Sequence, residues 1–128
     1  MWCRGIRGAT TVEENTREAI LEGTSELLKL MIKYNDLEED QIAAVTFTTT
    51  TDLNAEYPAV AARQLGWTDA ALLCGHEMDV PCGLKKVIRI LLLVNTEKSS
   101  KEMKHVYIKE AVKLRPDSAG PAYARVDQ

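Results

Sequence analysis

Arg89 stands inside an apolar run, Val87-Ile88-Arg89-Ile90-Leu91-Leu92-Leu93-Val94. A strand of that composition predicts a guanidinium buried on one sheet face. Arginine cannot escape burial by losing its proton, so it must meet a carboxylate from the protein or from a ligand. Within the protein, Glu77 is the simplest partner. The other reading is an anion site on which Arg89, Arg7, Arg63 and Arg115 converge. On residue chemistry alone the structural ion pair and the anion site stand level. Arg7 lies in the glycine-flanked segment Arg4-Gly5-Ile6-Arg7-Gly8, where its planar fork can point into the same space. Two strand-borne arginines and Glu77 would hold a polyanion that carries one hydroxyl. This set contains no nucleophile matched to a base. Its chemistry would be positioning and electrostatics.

Other chemistries find less support. No Gly-x-x-x-x-Gly-Lys loop, dinucleotide fingerprint or nucleophile elbow occurs in the chain. Cys74-Gly75-His76 together with Cys82 offers three soft ligands in one loop region. Structural zinc takes four, commonly in Cys-x-x-Cys pairs, and no such pair exists here. No metal site is expected; Cys74 reads as ending a strand and His76 as solvated. Neither His76 nor His105 has an obvious acid partner in sequence.

The 128 residues are 45% hydrophobic and 27% charged, the balance of one ordinary globular domain. Sixteen basic against nineteen acidic residues give a net charge of −3, without the positive field that non-specific nucleic-acid binding needs. The balance is uneven. Met1–Gln64 holds 6 basic and 11 acidic residues, and Leu65–Gln128 holds 10 and 8. The second half can therefore serve a small anion. Three cysteines without framework spacing point to a reducing compartment. Arg4 and Arg7 interrupt any apolar leader, and the Val87–Val94 run is too short to span a bilayer. The expectation is a cytoplasmic protein without nucleic-acid or membrane partners.

The elements that must position these residues alternate in type. Trp2–Thr10 reads as a strand, with glycines where another backbone or a ligand approaches. A helix follows, with Asn15 as cap and Glu18 three residues on completing a capping-box pattern. Ile20, Thr24, Leu27, Leu28, Met31 and Ile32 form its apolar stripe, and Asn35-Asp36 ends it. Ile42–Thr50 is β-branched and aromatic, hence a strand. Tyr57–Gly66 reads as a short helix, with Pro58 in its first turn and Gly66 past its end. Ala70–Cys74, Val87–Asn95 and His105–Ile108 read as strands, the second of them central, and Val112–Pro116 as a tight closing segment. The order β-α-β-α-β-β-β predicts an α/β domain, a mixed sheet with helices on one face. Its other face then finishes its burial against a second copy.

Taken together, Arg4-Gly5-Ile6-Arg7-Gly8-Ala9-Thr10-Thr11, Glu77-Met78-Asp79-Val80, Gly83-Leu84-Lys85-Lys86, Ile88-Arg89, His105-Val106-Tyr107 and Leu114-Arg115-Pro116 resemble the monofunctional chorismate mutases of the trimeric, barrel-like α/β class. The resemblance covers nearly the whole chain. It implies a domain over residues 1–117, a mobile tail over 118–128, and a homotrimer with a pseudo-barrel core. The implied reaction is the [3,3]-sigmatropic rearrangement of chorismate to prephenate, without a cofactor. The family's transition-state arginine matches Arg89, the carboxylate that accepts the ring hydroxyl matches Glu77, and a neighbouring thiol contact matches Cys74. Arg7 and Tyr107 match residues that hold a substrate carboxylate. Tyr57 and Arg63 match a flank supplied across the subunit interface, and Arg115 the start of a C-terminal cover. Val60 stands where a relative has lysine, and Tyr57 where it has phenylalanine.

Each residue also has a plainer reading: Tyr107 as a core aromatic, Cys74 as packing, Arg63 as a solvated helix residue, Arg4 as structural. Two other functions fit a small trimer with clustered arginines. One is a non-catalytic metabolite-binding module; the other is an imine deaminase of similar architecture, which rests on architecture alone.

Overall fold

The computed structural model describes residues 1–114. Arg115 and the 118–128 tail lie outside the described residues. Five strands and two helices follow in the expected order: β1 (Trp2–Thr11), α1 (Arg17–Asn35), β2 (Ile42–Thr49), α2 (Ala59–Gln64), β3 (Ala71–His76), β4 (Val87–Thr96) and β5 (Val106–Tyr107). They form one mixed sheet of order β3-β2-β4-β1-β5. β4 runs antiparallel to both β1 and β2, while β3 lies parallel to β2 and β5 parallel to β1.

Both helices cover the same face. Leu27, Leu28 and Met31 of α1 and Ala59 and Ala62 of α2 close over Ile6, Val45, Phe47, Ile90, Leu92 and Val94 in one core. Gly8 lies directly under α1: a Cβ there would lie 2.4 Å from the Met31 sulfur. A side chain of the helix, neither a ligand nor another backbone, makes this glycine necessary. The α1 cap is Thr16, whose hydroxyl accepts the Ala19 N–H at 3.1 Å. Asn15, the expected cap, serves another end of the fold. Its side-chain oxygen accepts the backbone N–H of Asn54 and of Ala55, each at 3.0 Å, and so ties the loop before α2 to the start of α1. Gly66 does follow α2, at φ +91, a left-handed turn that glycine adopts without strain.

Several boundaries move. β3 continues past Cys74 to His76, because β2 offers partners through Thr49. The expected strand over His105–Ile108 shortens to two residues, and the closing segment is a 3-10 helix, Lys109–Leu114, whose Ala111 is buried with Ala9 and Tyr107.

Among the described residues the opposite face of the sheet carries no α-helix; only the 3-10 helix covers its β1–β5 edge, over Ala9 and Tyr107. Leu73, Leu91 and Leu93 are exposed on it. Arg89 belongs to this uncovered face, and its side chain is 44% exposed. The expected burial of its guanidinium is therefore not met within one chain, because β4 is covered on one side only.

Candidate active site

One row of residues crosses the whole sheet. Gly75 of β3 is paired with Thr48 of β2, Thr48 with Arg89 of β4, Arg89 with Ala9 of β1, and Ala9 with Tyr107 of β5. Paired residues project to the same side, and successive residues of a strand to opposite sides. The pleat thus aims Arg89 and Thr48 out of the uncovered face. Glu77 is two residues beyond Gly75 and returns to that face. Its backbone N–H, bound to the Thr49 carbonyl at 2.8 Å, extends the ladder by one step.

The Glu77 carboxylate faces two groups. Its Oε2 lies 3.6 Å from Arg89 Nε and also accepts the Thr48 hydroxyl. The partner that the charge of Arg89 requires is thus Glu77. Because Oε2 is engaged by both, Oε1 is left as the acceptor for a further hydroxyl. Thr48 is the residue the sequence reading missed. It sits among the five threonines of Thr46–Asp52, four of them consecutive, and only the register opposite Arg89 singles it out.

The Arg89–Glu77 pair lines a cleft of about 810 Å³, walled by the Thr50–Asp52 turn, the Met78–Val87 loop and Leu114. The loop is anchored where it enters β4. Asp52 accepts the Lys86 N–H at 3.0 Å, and the Thr50 hydroxyl accepts the Val87 N–H at 3.0 Å. Lys86 is held at a positive φ of 54° by these bonds. They set the start of β4 only two residues before Arg89.

Arg7 sits on the same face, opposite Leu91 and one pleat repeat from the Ala9–Arg89 pair. Tyr107 closes the row at the far edge, buried against Ala9 and Ala111, with Leu114 packed beside them. Four of the expected residues, Arg89, Glu77, Arg7 and Tyr107, therefore share one side of the sheet. Arg4 is structural: its Nε donates to the Lys98 carbonyl at 3.1 Å, and its guanidinium stacks over Trp2.

Three others are placed elsewhere. Cys74 is paired with Phe47 and packs against the helix-covered core. With Tyr57, Pro58, Gly75 and His76 it lines a second cleft of about 420 Å³. His76 is exposed but not merely solvated, since its Nδ1 lies 3.2 Å from the Thr49 hydroxyl. Arg63 is exposed on α2. The chain therefore carries two separate clefts, one holding the Arg89–Glu77 pair and one beside Tyr57 and Cys74.

The comparisons with known proteins converge. The family model for chorismate mutase type I matches residues 3–118. The chain is 50% identical over 115 residues to the chorismate mutase AroH of Thermus thermophilus, a match spanning 89% of this chain and 94% of that relative. It is 44% identical over 118 residues to AroH of Bacillus subtilis, spanning 91% and 93%. A solved chorismate mutase from Clostridium thermocellum superposes with a TM-score of 0.85 at 50% identity, covering 88% of this chain and 99% of that one. By sequence over nearly its whole length, and by fold, the chain belongs to the type I chorismate mutase family.

Proposed function

We propose that the chain isomerises chorismate to prephenate by binding the substrate as a compact, chair-like conformer against the uncovered sheet face. Family membership makes it an isomerase of aromatic amino-acid biosynthesis. The roles of individual residues follow from the chemistry. In a [3,3]-sigmatropic rearrangement the ether C–O bond breaks as a C–C bond forms, and no proton is transferred. What the protein can supply is orientation, worth about 7–11 kcal/mol in favourable cases, and a fixed donor for the oxygen that gains charge, worth about 3–4 kcal/mol.

Arg89 is that donor. Its guanidinium keeps its charge throughout and requires no proton inventory. Glu77, held through Oε2 by Thr48 and Arg89, accepts the ring hydroxyl on its other oxygen. Arg7 and Tyr107, further along the same face, hold substrate carboxylate. The observation that carries the reading is the row Thr48–Arg89–Ala9–Tyr107, with Glu77 closing onto Arg89.

The second cleft completes the site from a neighbouring copy. Leu73, Leu91 and Leu93 leave apolar surface on the uncovered face, and a trimer that joins copies there would bring one chain's Tyr57, Arg63 and Cys74 to the next chain's Arg89. Arg115 would cover the bound substrate. The three free cysteines, Cys3, Cys74 and Cys82, fit a cytoplasmic enzyme. Among the described residues no helix is long and apolar enough to cross a membrane.

Loss of chorismate absorbance on adding the purified chain tests the activity. The shared site has its own test. Arg89→Ala and the double variant Tyr57→Ala/Arg63→Ala should each be inactive, and refolding them together should restore activity in mixed trimers. Mixed trimers, confirmed by mass, that are no more active than their parents would place each site within one chain.

A further inference from the structure

The Arg7 backbone N–H is satisfied by a side chain. It donates to Nδ1 of His105 at 2.9 Å, across 98 positions of sequence. The connection matters because β5 is only two residues long. Its register with β1 consists of Gly8 with Val106 and Ala9 with Tyr107, followed by one bond from the Ile108 N–H to the Ala9 carbonyl at 3.1 Å. Just before His105 the chain is clamped to the end of α1. Asn35 accepts the Lys104 N–H at 2.7 Å and donates to the Lys104 carbonyl at 2.9 Å. Its side-chain nitrogen also donates to the Met31 carbonyl at 2.9 Å, which fixes the clamp to the helix. The imidazole is thus delivered from an anchored backbone to one atom of Arg7.

We infer that His105 is a positioning residue for the carboxylate-holding end of the site, its Nδ1 fixing the Arg7 backbone and locking β1 to the strand that bears Tyr107. The inference rests on the chorismate mutase reading, in which Arg7 and Tyr107 grip substrate. An acceptor at Nδ1 requires the neutral ring with its proton on Nε2. Burial, and then the Arg7 charge, hold the His105 pKa below its ordinary value and keep that form populated. His105 need not touch substrate. It sets the distance between the two residues that do.

The test compares two amides of similar polarity. The Oδ1 of His105→Asn falls where Nδ1 stands and can accept the Arg7 N–H, whereas His105→Gln carries its amide out toward the Nε2 position. Chorismate kcat and KM are measured well below the thermal midpoint of each variant. The asparagine variant is expected to keep the wild-type KM. The glutamine variant should raise KM about fivefold, the worth of one ordinary hydrogen bond, with little change in kcat, because carboxylate binding is felt alike in ground and transition states. If the glutamine variant does not fold, His105→Ala removes the acceptor without added bulk and should show the same KM rise. Equal KM values for the acceptor-retaining and acceptor-lacking variants would overturn the inference, as would a loss that falls on kcat. A wild-type chain that leaves chorismate unchanged would instead remove the underlying reading, so the two failures are distinguishable.

Discussion

The two faces of β4 differ by one residue in register and by everything in environment. Ile88, Ile90, Leu92 and Val94 point under α1 and α2 and are almost wholly buried, while Arg89, Leu91 and Leu93 point away and remain accessible. The same backbone therefore holds a packed interior on one side and a charged, partly apolar surface on the other. Charge is tolerated at Arg89 because no helix covers it and Glu77 meets it. Precision comes from behind: the buried residues fix the pleat that aims the guanidinium.

Substitutions on the two faces should separate these duties. Arg89→Ala is expected to leave the fold intact and to lower kcat by at least about 10²–10³, the range for deleting one preorganised donor. Arg89→Lys keeps the charge without the planar fork and should recover only part of that loss. Leu92→Ala, on the covered face, should cost about 2–5 kcal/mol of stability through the cavity it leaves, with kcat near wild type while the protein stays folded. Denaturant unfolding and chorismate turnover on the same samples make the comparison. An Arg89→Ala chain within a few-fold of wild-type kcat would reduce Arg89 to a structural ion-pair partner.

The uncovered face can be probed without touching its charges. Leu91→Glu/Leu93→Glu should leave the core under α1 folded, as judged by far-ultraviolet circular dichroism, yet produce monomers by mass. Carboxylates cannot be buried in an apolar interface without large cost. Turnover should fall with the assembly, since Tyr57 and Arg63 would no longer reach Arg89. A trimer of unchanged mass in the double variant would show that copies meet through another surface.

A smaller effect is expected at Thr48. Thr48→Val keeps the β-branched shape and removes the hydroxyl that Glu77 accepts. Losing one hydrogen bond to a charged group is worth about 1.5–3 kcal/mol, so kcat/KM should fall roughly ten- to hundredfold, and Thr48→Ser should restore most of it. Equal activity in the valine and serine variants would mean that Arg89 alone orients Glu77.

Much of this contrast was legible in the sequence, and the parts that were not share a cause. Strand and helix order and the helix-covered core follow from periodicity. The cost of an unpaired arginine makes Glu77 the simplest protein partner of Arg89, without deciding between that pair and an anion site. The exposure of Arg89 did not follow, because Leu91 and Leu93 are apolar. An exposed face lined with leucines reads like a face kept for the core, and β4 lacks the polar alternation that marks an uncovered strand. The cap was misread at Asn15 because adjacent Asn15 and Thr16 are both competent, and only the loop at Asn54 decides between them. Thr48 and His105 depend on register and on a contact 98 residues distant, which no local pattern encodes. The split of Cys74 from Arg89 follows from pleat parity, one step along β3 from Gly75.

The smallest effect is that of pH. Turnover itself should be flat around neutrality, since the rearrangement moves no proton. Stability should not be flat. His105 has a folded-state pKa held below its ordinary value, first by burial and then by the Arg7 charge across the β1–β5 seam. The unfolded chain therefore takes up a proton at a pH where the folded chain does not. Above about 6.5, the ordinary histidine value, both forms are neutral and the contribution is fully present. As pH falls through and below that value, protonation favours the unfolded state, and the contribution is lost as pH passes the folded pKa. Glu102, held down mainly by its bond to the Ser99 backbone, and Glu110, held down by Lys113, act in the same direction. Both are exposed carboxylates and titrate lower, below about 4.5, so the two windows separate. Thermal midpoints measured between neutrality and about pH 5 should fall for wild type, and His105→Asn, which keeps the acceptor but cannot titrate, should flatten that slope. An identical slope in wild type and His105→Asn would assign the acid limb to groups away from the Arg7 seam.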